Sequence, residues 1–122
     1  MRPKKTISVY VLKLHGDKYY VGQSRHPERR IKDHFEGKGS AWTQLNTTVE
    51  VVRVIPTTAT SWRAALEIET SLTLELMRVF GWQNVRGGGY SSCHIASPPQ
   101  GVSAAGVDTQ RKGSFLVEND PL

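Results

Sequence analysis

The order of strands and helices that this sequence predicts is typical of an α+β fold. Two β-branched and aromatic stretches lie close together near the start, a short helix follows, and a valine-rich stretch precedes a long amphipathic helix. The 122 residues suit one domain, because a chain of this length buries a single core. We expect residues 1–90 to form that domain, and residues 91–122, which are rich in Ser, Pro, Gly and Ala, to form a flexible tail.

The first two strands are expected at residues 7–14 and 18–23, with a three-residue loop between them. A glycine-containing loop of this length makes an antiparallel hairpin in which Tyr10 lies opposite Gly22. Because side chains alternate across a strand, that register puts Tyr10, Tyr20 and Gly22 on the same face. Tyrosines are also common as packing residues in sheets, so this placement alone does not assign them a function.

A short helix of about ten residues is expected to begin at Pro27, whose fixed φ suits a first helical position. Ile31 and Phe35 mark its buried side, and Arg30 and His34 form a second i,i+4 pair on the flank of that side. A solvated helix flank is the simpler explanation of this pair. The functional alternative is that both side chains contact one phosphate.

Residues 48–55 predict a third strand, and Ser61 is a suitable cap for a long helix that runs to Phe80. Apolar side chains recur on one face of this helix at 100° per residue. Glu69 lies in the middle of that face. The apolar positions are Trp62, Ala65, Leu66, Leu72, Leu76 and Phe80.

A carboxylate on an apolar face needs compensation, because burying it alone costs roughly several kcal/mol. The ordinary explanations for Glu69 are an ion pair with an arginine or a helix end that is exposed. The functional explanation is a divalent cation. Since Mg²⁺ takes one or two carboxylates and fills its other positions with water and phosphate oxygens, one glutamate can suffice.

The charge balance favours a polyanionic partner, because residues 1–92 carry 14 basic and 8 acidic side chains. Cys93 is the only cysteine, so the chain has no internal disulfide, and with His94 alone it lacks the four ligands of a structural zinc site. No segment predicts a signal peptide or a transmembrane helix, and an intracellular location is expected.

Two further segments are ambiguous. The loop around Trp42 could contact a nucleic-acid backbone and stack a base, or the tryptophan could fold onto the core. The run Gly87-Gly88-Gly89 does not open a helix after a strand, so it predicts a tight turn rather than a phosphate-binding loop.

Together these segments resemble the GIY-YIG nuclease superfamily over roughly residues 7–90. Val9-Tyr10 stands in the place of the first signature's Ile-Tyr, and Tyr20-Val21-Gly22 in that of Tyr-Ile-Gly. Residues 25–35 look like the family's arginine helix, and residues 65–69 look like the segment that bears its metal-binding glutamate.

Two departures and one further match accompany this resemblance. Ser8 replaces the glycine of the first signature, and Gln23 stands where several relatives have a lysine thought to assist the base. Residues 81–88 resemble the family's closing segment, in which Asn84 would brace the site and Gly22 would support it from the hairpin.

The resemblance implies a three-stranded antiparallel sheet flanked by helices, in the order β-β-α-β-α, and a metal-dependent DNA endonuclease activity. Glu69 would bind Mg²⁺ or Mn²⁺, and Arg30 would neutralise charge on the transition state. Tyr20 would accept a proton from the attacking water, Tyr10 would orient that water, and His34 would hydrogen-bond the phosphate.

DNA is the expected partner rather than RNA, and five side chains are candidates to contact it. They are Arg25, Arg29, Lys32, Trp42 and Arg86. One alternative is a non-catalytic basic module that retains the fold and grips DNA or RNA. The other is a plain protein-interaction domain, which is favoured only if the basic residues are scattered over the surface.

Overall fold

The predicted order β-β-α-β-α is present, and a short additional helix, a 3₁₀ turn and a fourth strand are added to it. The computed structural model describes residues 5–92 and 94–102. Its strands are β1 (Ser8–Leu14), β2 (Lys18–Ser24), β3 (Thr48–Pro56) and β4 (Val85–Gly87). Its helices are α1 (Pro27–Phe35), α2 (Ala41–Leu45) and α3 (Trp62–Phe80), and a 3₁₀ turn at Trp82–Asn84 leads into β4.

The four strands form one mixed sheet in the order β3-β1-β2-β4. Strand β1 pairs antiparallel with β2 and β3, which gives the expected antiparallel unit, and the α+β class is confirmed. The sheet has one strand more than expected, because β4 adds to β2 in parallel. A three-residue strand that ends in glycine is too short to show a period-two pattern in the sequence.

The expected hairpin register is present, with Tyr10 opposite Gly22 and Leu12 opposite Tyr20. Alternation along β1 then divides the buried residues between the two faces of the sheet. Val9 and Val11 belong to a cluster with the last turns of α3. Tyr10 and Tyr20 belong to a second cluster, to which α2 contributes Trp42 and α1 contributes the partly buried Ile31.

Helix α3 begins where the sequence predicts, because the Ser61 side chain accepts a hydrogen bond from the Ala64 amide. Its apolar face is buried only in part. Trp62 is 56% exposed and Leu66 is 42% exposed, although both lie on the apolar face of the helix. The core cluster packs against the last turns of the helix, at Leu76, Met77, Val79 and Phe80.

Helix α1 also presents a different side to the sheet from the one expected. Phe35 is 43% exposed, whereas His34 is only 1% exposed. Neighbouring positions on a helix point about 100° apart, so a small rotation about the axis decides which of the two faces the sheet. Hydrogen bonds to the His34 ring fix that rotation.

Part of the segment expected to be a tail lies within the described residues. Ile95 and Val102 pack against the cluster on the α3 side, and Arg78 donates a hydrogen bond to the carbonyl of Gly101. Residues 103–122, the larger part of that segment, lie outside the described residues. No helix in the described part of the chain is long and apolar enough to cross a membrane.

Candidate active site

The two tyrosines lie next to each other at the centre of the hairpin. Their ring centroids are 6.5 Å apart, and Tyr10 is 1% and Tyr20 9% exposed. Gly22 makes room for the Tyr10 ring, because a Cβ at position 22 would overlap Cζ and the hydroxyl oxygen of that ring. The hairpin therefore needs glycine at this position for the phenol to lie across the sheet.

His34 holds the Tyr10 hydroxyl in place. Its Nε2 lies 2.7 Å from the Tyr10 hydroxyl, and its Nδ1 lies 2.8 Å from Oγ1 of Thr43. The Thr43 hydroxyl donates to the carbonyl of Ser40, so its oxygen is left to accept from Nδ1 of His34. Nε2 then carries no proton and accepts from Tyr10.

The His34 ring is neutral in this environment. Burial lowers its pKa to about 4, and the nearby Arg30 charge acts in the same direction, while Asp33 opposes it. Both ring nitrogens are engaged inside the protein, so the ring does not present a donor to a phosphate in this conformation. The expected contact between His34 and a phosphate is therefore not kept, and the side chain orients Tyr10 instead.

Arg30 is partly exposed and acts electrostatically on both phenols. Its side chain is 42% exposed and lies 3.8 Å from the Asp33 carboxylate, a distance that gives only a weak ion pair. Its charge and a hydrogen bond to Tyr10 lower the pKa of that phenol, and its charge also lowers the pKa of Tyr20. The guanidinium therefore belongs to the same site as the two tyrosines.

Glu69 points inward and is only 5% exposed. Its Oε2 accepts a hydrogen bond of 2.6 Å from Nε2 of Gln23, and its Oε1 accepts one of 3.0 Å from the amide of Gly88. Burial raises the pKa of this carboxyl, and the two hydrogen bonds work against that rise. Within the described part of the chain, neutral donors rather than a cationic side chain thus compensate the carboxylate.

The Glu69 carboxylate is near both phenols, since its charge raises the pKa of Tyr10 and of Tyr20. For each phenol, burial is the larger cause of the raised pKa. Hydrogen bonds and electrostatic effects thus link Tyr10, Tyr20, Arg30, His34 and Glu69. That these side chains form one catalytic site stays a prediction. In addition, the pKa of each phenol is raised above its ordinary value in the folded protein.

A comparison with protein families shows which family this domain belongs to. The family model of the GIY-YIG catalytic domain matches residues 7–78, which is more than half of the chain. The chain belongs to the GIY-YIG superfamily. This superfamily is a family of nucleases, so the chain is a nuclease-type domain by descent. Searches for similar curated proteins and solved structures found no match, and the family model alone carries the assignment.

The Glu69 environment in this GIY-YIG domain fits a hard divalent cation. The Gln23 Oε1 atom is buried beside the carboxylate, and it has no hydrogen-bond partner among residues 5–92 and 94–102. A carboxylate and an amide oxygen are ligands of the type that Mg²⁺ and Mn²⁺ prefer. No cluster of three or more His, Cys, Asp or Glu side chains occurs in the described residues, so any ion here keeps much of its water.

Sequence reasoning missed the residues that hold Glu69 and His34 in this GIY-YIG domain. Gln23 was noted only as the absence of a lysine, and Gly88 only as part of a turn. Thr43 was considered only as part of the loop around Trp42 and not as a partner of His34. Gln23 follows the second signature directly and alternates to the α3 side of β2, a placement that could have indicated a contact with Glu69.

Two of the five expected nucleic-acid contacts are internal. Trp42 is 4% exposed and donates to the carbonyl of Tyr19, so the alternative that it folds onto the core is the correct one. Arg86 is also 4% exposed, and its guanidinium lies over the Trp42 ring, 4.6 Å from the centroid. It donates to backbone carbonyls of Trp82, Val85 and Ser92. The expectation that these two side chains contact DNA is therefore dropped.

The remaining basic candidates lie around α1. Arg29 and Lys32 are exposed, which keeps them available to a polyanion. Arg25 is partly buried, donates to the carbonyl of Thr60 and lies 5.2 Å from the Trp62 ring centroid. Asn84 donates a hydrogen bond to the Phe80 carbonyl. This bond stabilises the end of α3 and does not involve the tyrosines.

Proposed function

We propose that this GIY-YIG domain is a metal-dependent DNA endonuclease that hydrolyses phosphodiester bonds. The observation that supports this most strongly is the inward-facing Glu69 carboxylate, which lies within electrostatic range of two phenols that the Arg30 charge also reaches. Phosphodiester hydrolysis requires compensation of negative charge and a group that handles the proton of water. These residues supply both.

Glu69 is the proposed ligand of Mg²⁺ or Mn²⁺. Hydrogen bonds from Gln23 and Gly88 hold the carboxylate in one orientation and favour its ionised form. When bound, the cation would neutralise charge on the leaving oxygen and lower the pKa of neighbouring groups.

Arg30 is proposed to bind the scissile phosphate. Its partial exposure lets it reach a substrate, and its charge acts on both phenols of the site. A planar guanidinium donates two parallel hydrogen bonds to a phosphate, and those bonds strengthen as charge builds on the equatorial oxygens.

Tyr20, in its ionised form, is proposed to accept the proton of the attacking water, and Tyr10 is proposed to orient that water. The two phenols differ in their connections. The Tyr10 hydroxyl donates a hydrogen bond to Nε2 of His34. Only the lone pairs of the Tyr10 oxygen then remain to bind a water. Tyr20 is the more accessible of the two and has no histidine acceptor in the described structure. Its raised pKa makes the reaction dependent on a positive charge beside it.

The rival function is a non-catalytic nucleic-acid-binding module on the same fold. Such a module would bind more tightly if more basic side chains faced the nucleic acid. Arg86 is buried and Arg25 is held by Thr60 and Trp62, so two of the arginines expected to serve it are engaged within the protein. No feature of the site favours binding without cleavage.

The test is nicking of supercoiled plasmid, branched DNA and single-stranded DNA with Mg²⁺ or Mn²⁺. Glu69→Ala is expected to abolish cleavage while DNA binding, measured by gel shift in EDTA, stays within about threefold of wild type, because the phosphate contacts remain. Glu67→Ala is the matched control, since Glu67 is an exposed glutamate on the same helix. A wild-type protein that binds all three DNAs and cuts none of them would support the rival.

A further inference from the structure

We propose that Gln23 is a second residue that holds the hydrated cation, with its amide nitrogen fixing Glu69 and its amide oxygen accepting from a water of the cation's hydration shell. This inference rests on the proposed function, because it assumes that a divalent cation binds at Glu69. It assigns a distinct task to each end of one carboxamide group.

The first support is the contact between Gln23 and Glu69. The 2.6 Å hydrogen bond runs from Nε2 to Oε2 of the carboxylate. Rotating the amide by 180° would bring two oxygens together at that distance, which is repulsive beside an ionised carboxylate. The orientation of the amide is therefore fixed by its neighbour, and its oxygen must point elsewhere.

The second support is the state of that oxygen. Gln23 Oε1 is buried, and within residues 5–92 and 94–102 no donor reaches it. A buried acceptor without a partner costs about 1–3 kcal/mol, so such atoms in folded proteins normally have a partner from water or a ligand. A water attached to a divalent cation is a strong donor, and Mg²⁺ releases its waters reluctantly.

The identity of the side chain matters at this position. A lysine could donate to Glu69, but it has no acceptor and would bring a positive charge against the carboxylate that is to bind a cation. The glutamine amide is neutral and has both a donor and an acceptor. It can therefore hold Glu69 and a hydrated cation at the same time.

The experiment measures binding of Mn²⁺ alone to the full-length protein, by the loss of the free-ion electron paramagnetic resonance signal. Gln23→Met, which is similar in length but has no donor and only a weak thioether acceptor, is expected to weaken Mn²⁺ binding by about tenfold or more. Gln23→Lys, which keeps a donor and loses the acceptor, is also expected to weaken Mn²⁺ binding. Gln83→Met, at an exposed glutamine, is the matched control and is expected to bind as wild type does.

The possible outcomes separate the two proposals. If Glu69→Gln removes Mn²⁺ binding and Gln23→Met does not change it, the inference about Gln23 is overturned while the metal site stands. If Gln23→Lys binds Mn²⁺ as well as wild type, the donor alone matters and the inference is also overturned. If the wild-type protein binds no Mn²⁺, or Glu69→Gln binds it normally, the proposed metal site itself fails. Circular dichroism melting of each variant separates unfolding from loss of a ligand.

Discussion

The Tyr10 hydroxyl lies 2.7 Å from Nε2 of His34, and both side chains are about 1% exposed. This contact joins the centre of the hairpin to α1 across 24 residues of sequence. Because Thr43 fixes the other ring nitrogen, the histidine has one available acceptor, and Tyr10 occupies it. The orientation of the phenol in the site therefore depends on a helix that follows it in the chain.

The Tyr10 and His34 side chains are expected to be energetically coupled. Tyr10→Phe leaves the His34 Nε2 without a donor, and His34→Phe leaves the buried hydroxyl without an acceptor, so each change should cost about 1–3 kcal/mol of unfolding free energy. The double variant removes both polar groups. Its cost is expected to be less than the sum of the single costs by about 1 kcal/mol or more, measured by urea denaturation. Additive costs would contradict the hydrogen bond.

His34 is also expected to make stability depend on pH. Its pKa is about 4 in the folded protein and 6.5 in the unfolded chain, so between these values the unfolded state binds the extra proton. The contribution is fully present above pH 6.5 and is lost as the pH falls towards 4, by about 3 kcal/mol in total. Arg30 opposes protonation of the ring, and Asp33 favours it.

The measurement is the unfolding free energy between pH 4 and 7.5 for the wild type and for His34→Asn, which is polar but does not titrate in this range. The difference between the two curves is expected to shrink as the pH falls below 6.5. Carboxyl groups titrate in both proteins, so they cancel in the difference. Parallel curves would show that the folded protein accepts the proton without cost.

The turn at Gly88 is expected to tolerate no side chain. Gly88 has a φ of +51°, and a Cβ there would lie 2.7 Å from the Thr70 Cα and 2.8 Å from its backbone nitrogen. Gly88→Ala must therefore move the amide that donates to Glu69, with a loss of about 1–3 kcal/mol of stability and weaker Mn²⁺ binding.

Gly89→Ala is the matched control for this change. A Cβ at position 89 would meet Thr70 only at 3.7 Å, an ordinary contact. Its melting temperature and Mn²⁺ affinity are expected to stay close to those of wild type, while both fall in Gly88→Ala. Equal behaviour of the two variants would show that the Gly88 amide does not fix the Glu69 carboxylate.

Periodicity in the sequence was sufficient to predict the hairpin register and the buried position of Glu69 on α3. The short loop after Leu14 fixes the hairpin register, and that register puts Tyr10 beside Tyr20. The 100° spacing of apolar residues on α3 places Glu69 on the buried side. Both inferences need only local geometry, which the chain determines within about twenty residues.

Contacts between distant segments could not be predicted in the same way. Whether His34 or Phe35 faces the sheet depends on a hydroxyl 24 residues earlier in the chain. Arg86 looked like a surface cation because a sequence does not show that Trp42 and three carbonyls surround it. Gln23 and Gly88 act through single hydrogen bonds, which leave no periodic pattern.

Arg86 and Arg29 are expected to differ sharply when each is replaced by alanine. Arg86→Ala leaves buried carbonyls without donors and removes the contact with the Trp42 ring, so it should cost about 3 kcal/mol of stability. Arg29→Ala changes an exposed side chain and should cost less than about 0.5 kcal/mol.

For DNA binding, the larger effect is expected from Arg29→Ala and the smaller effect from Arg86→Ala. Arg29→Ala is expected to lower DNA affinity and to reduce the slope of log affinity against log salt concentration by about one, because one phosphate contact is lost. Below its melting temperature, Arg86→Ala is expected to keep the wild-type salt slope. Fluorescence anisotropy at several salt concentrations measures both. A reduced slope in Arg86→Ala would mean that this guanidinium leaves the interior to meet DNA.

Arg30→Lys tests whether the guanidinium acts on the transition state rather than as a simple positive charge. Lysine keeps the charge but cannot donate two parallel hydrogen bonds to a phosphate. Cleavage should therefore slow by about tenfold to a hundredfold in kcat with DNA affinity nearly unchanged, since only the interaction that strengthens during reaction is lost. Asp33→Asn, which removes the weak ion pair at 3.8 Å, is the control and should change kcat by less than about threefold. If Arg30→Lys raised KM and left kcat alone, Arg30 would be a substrate-binding residue only.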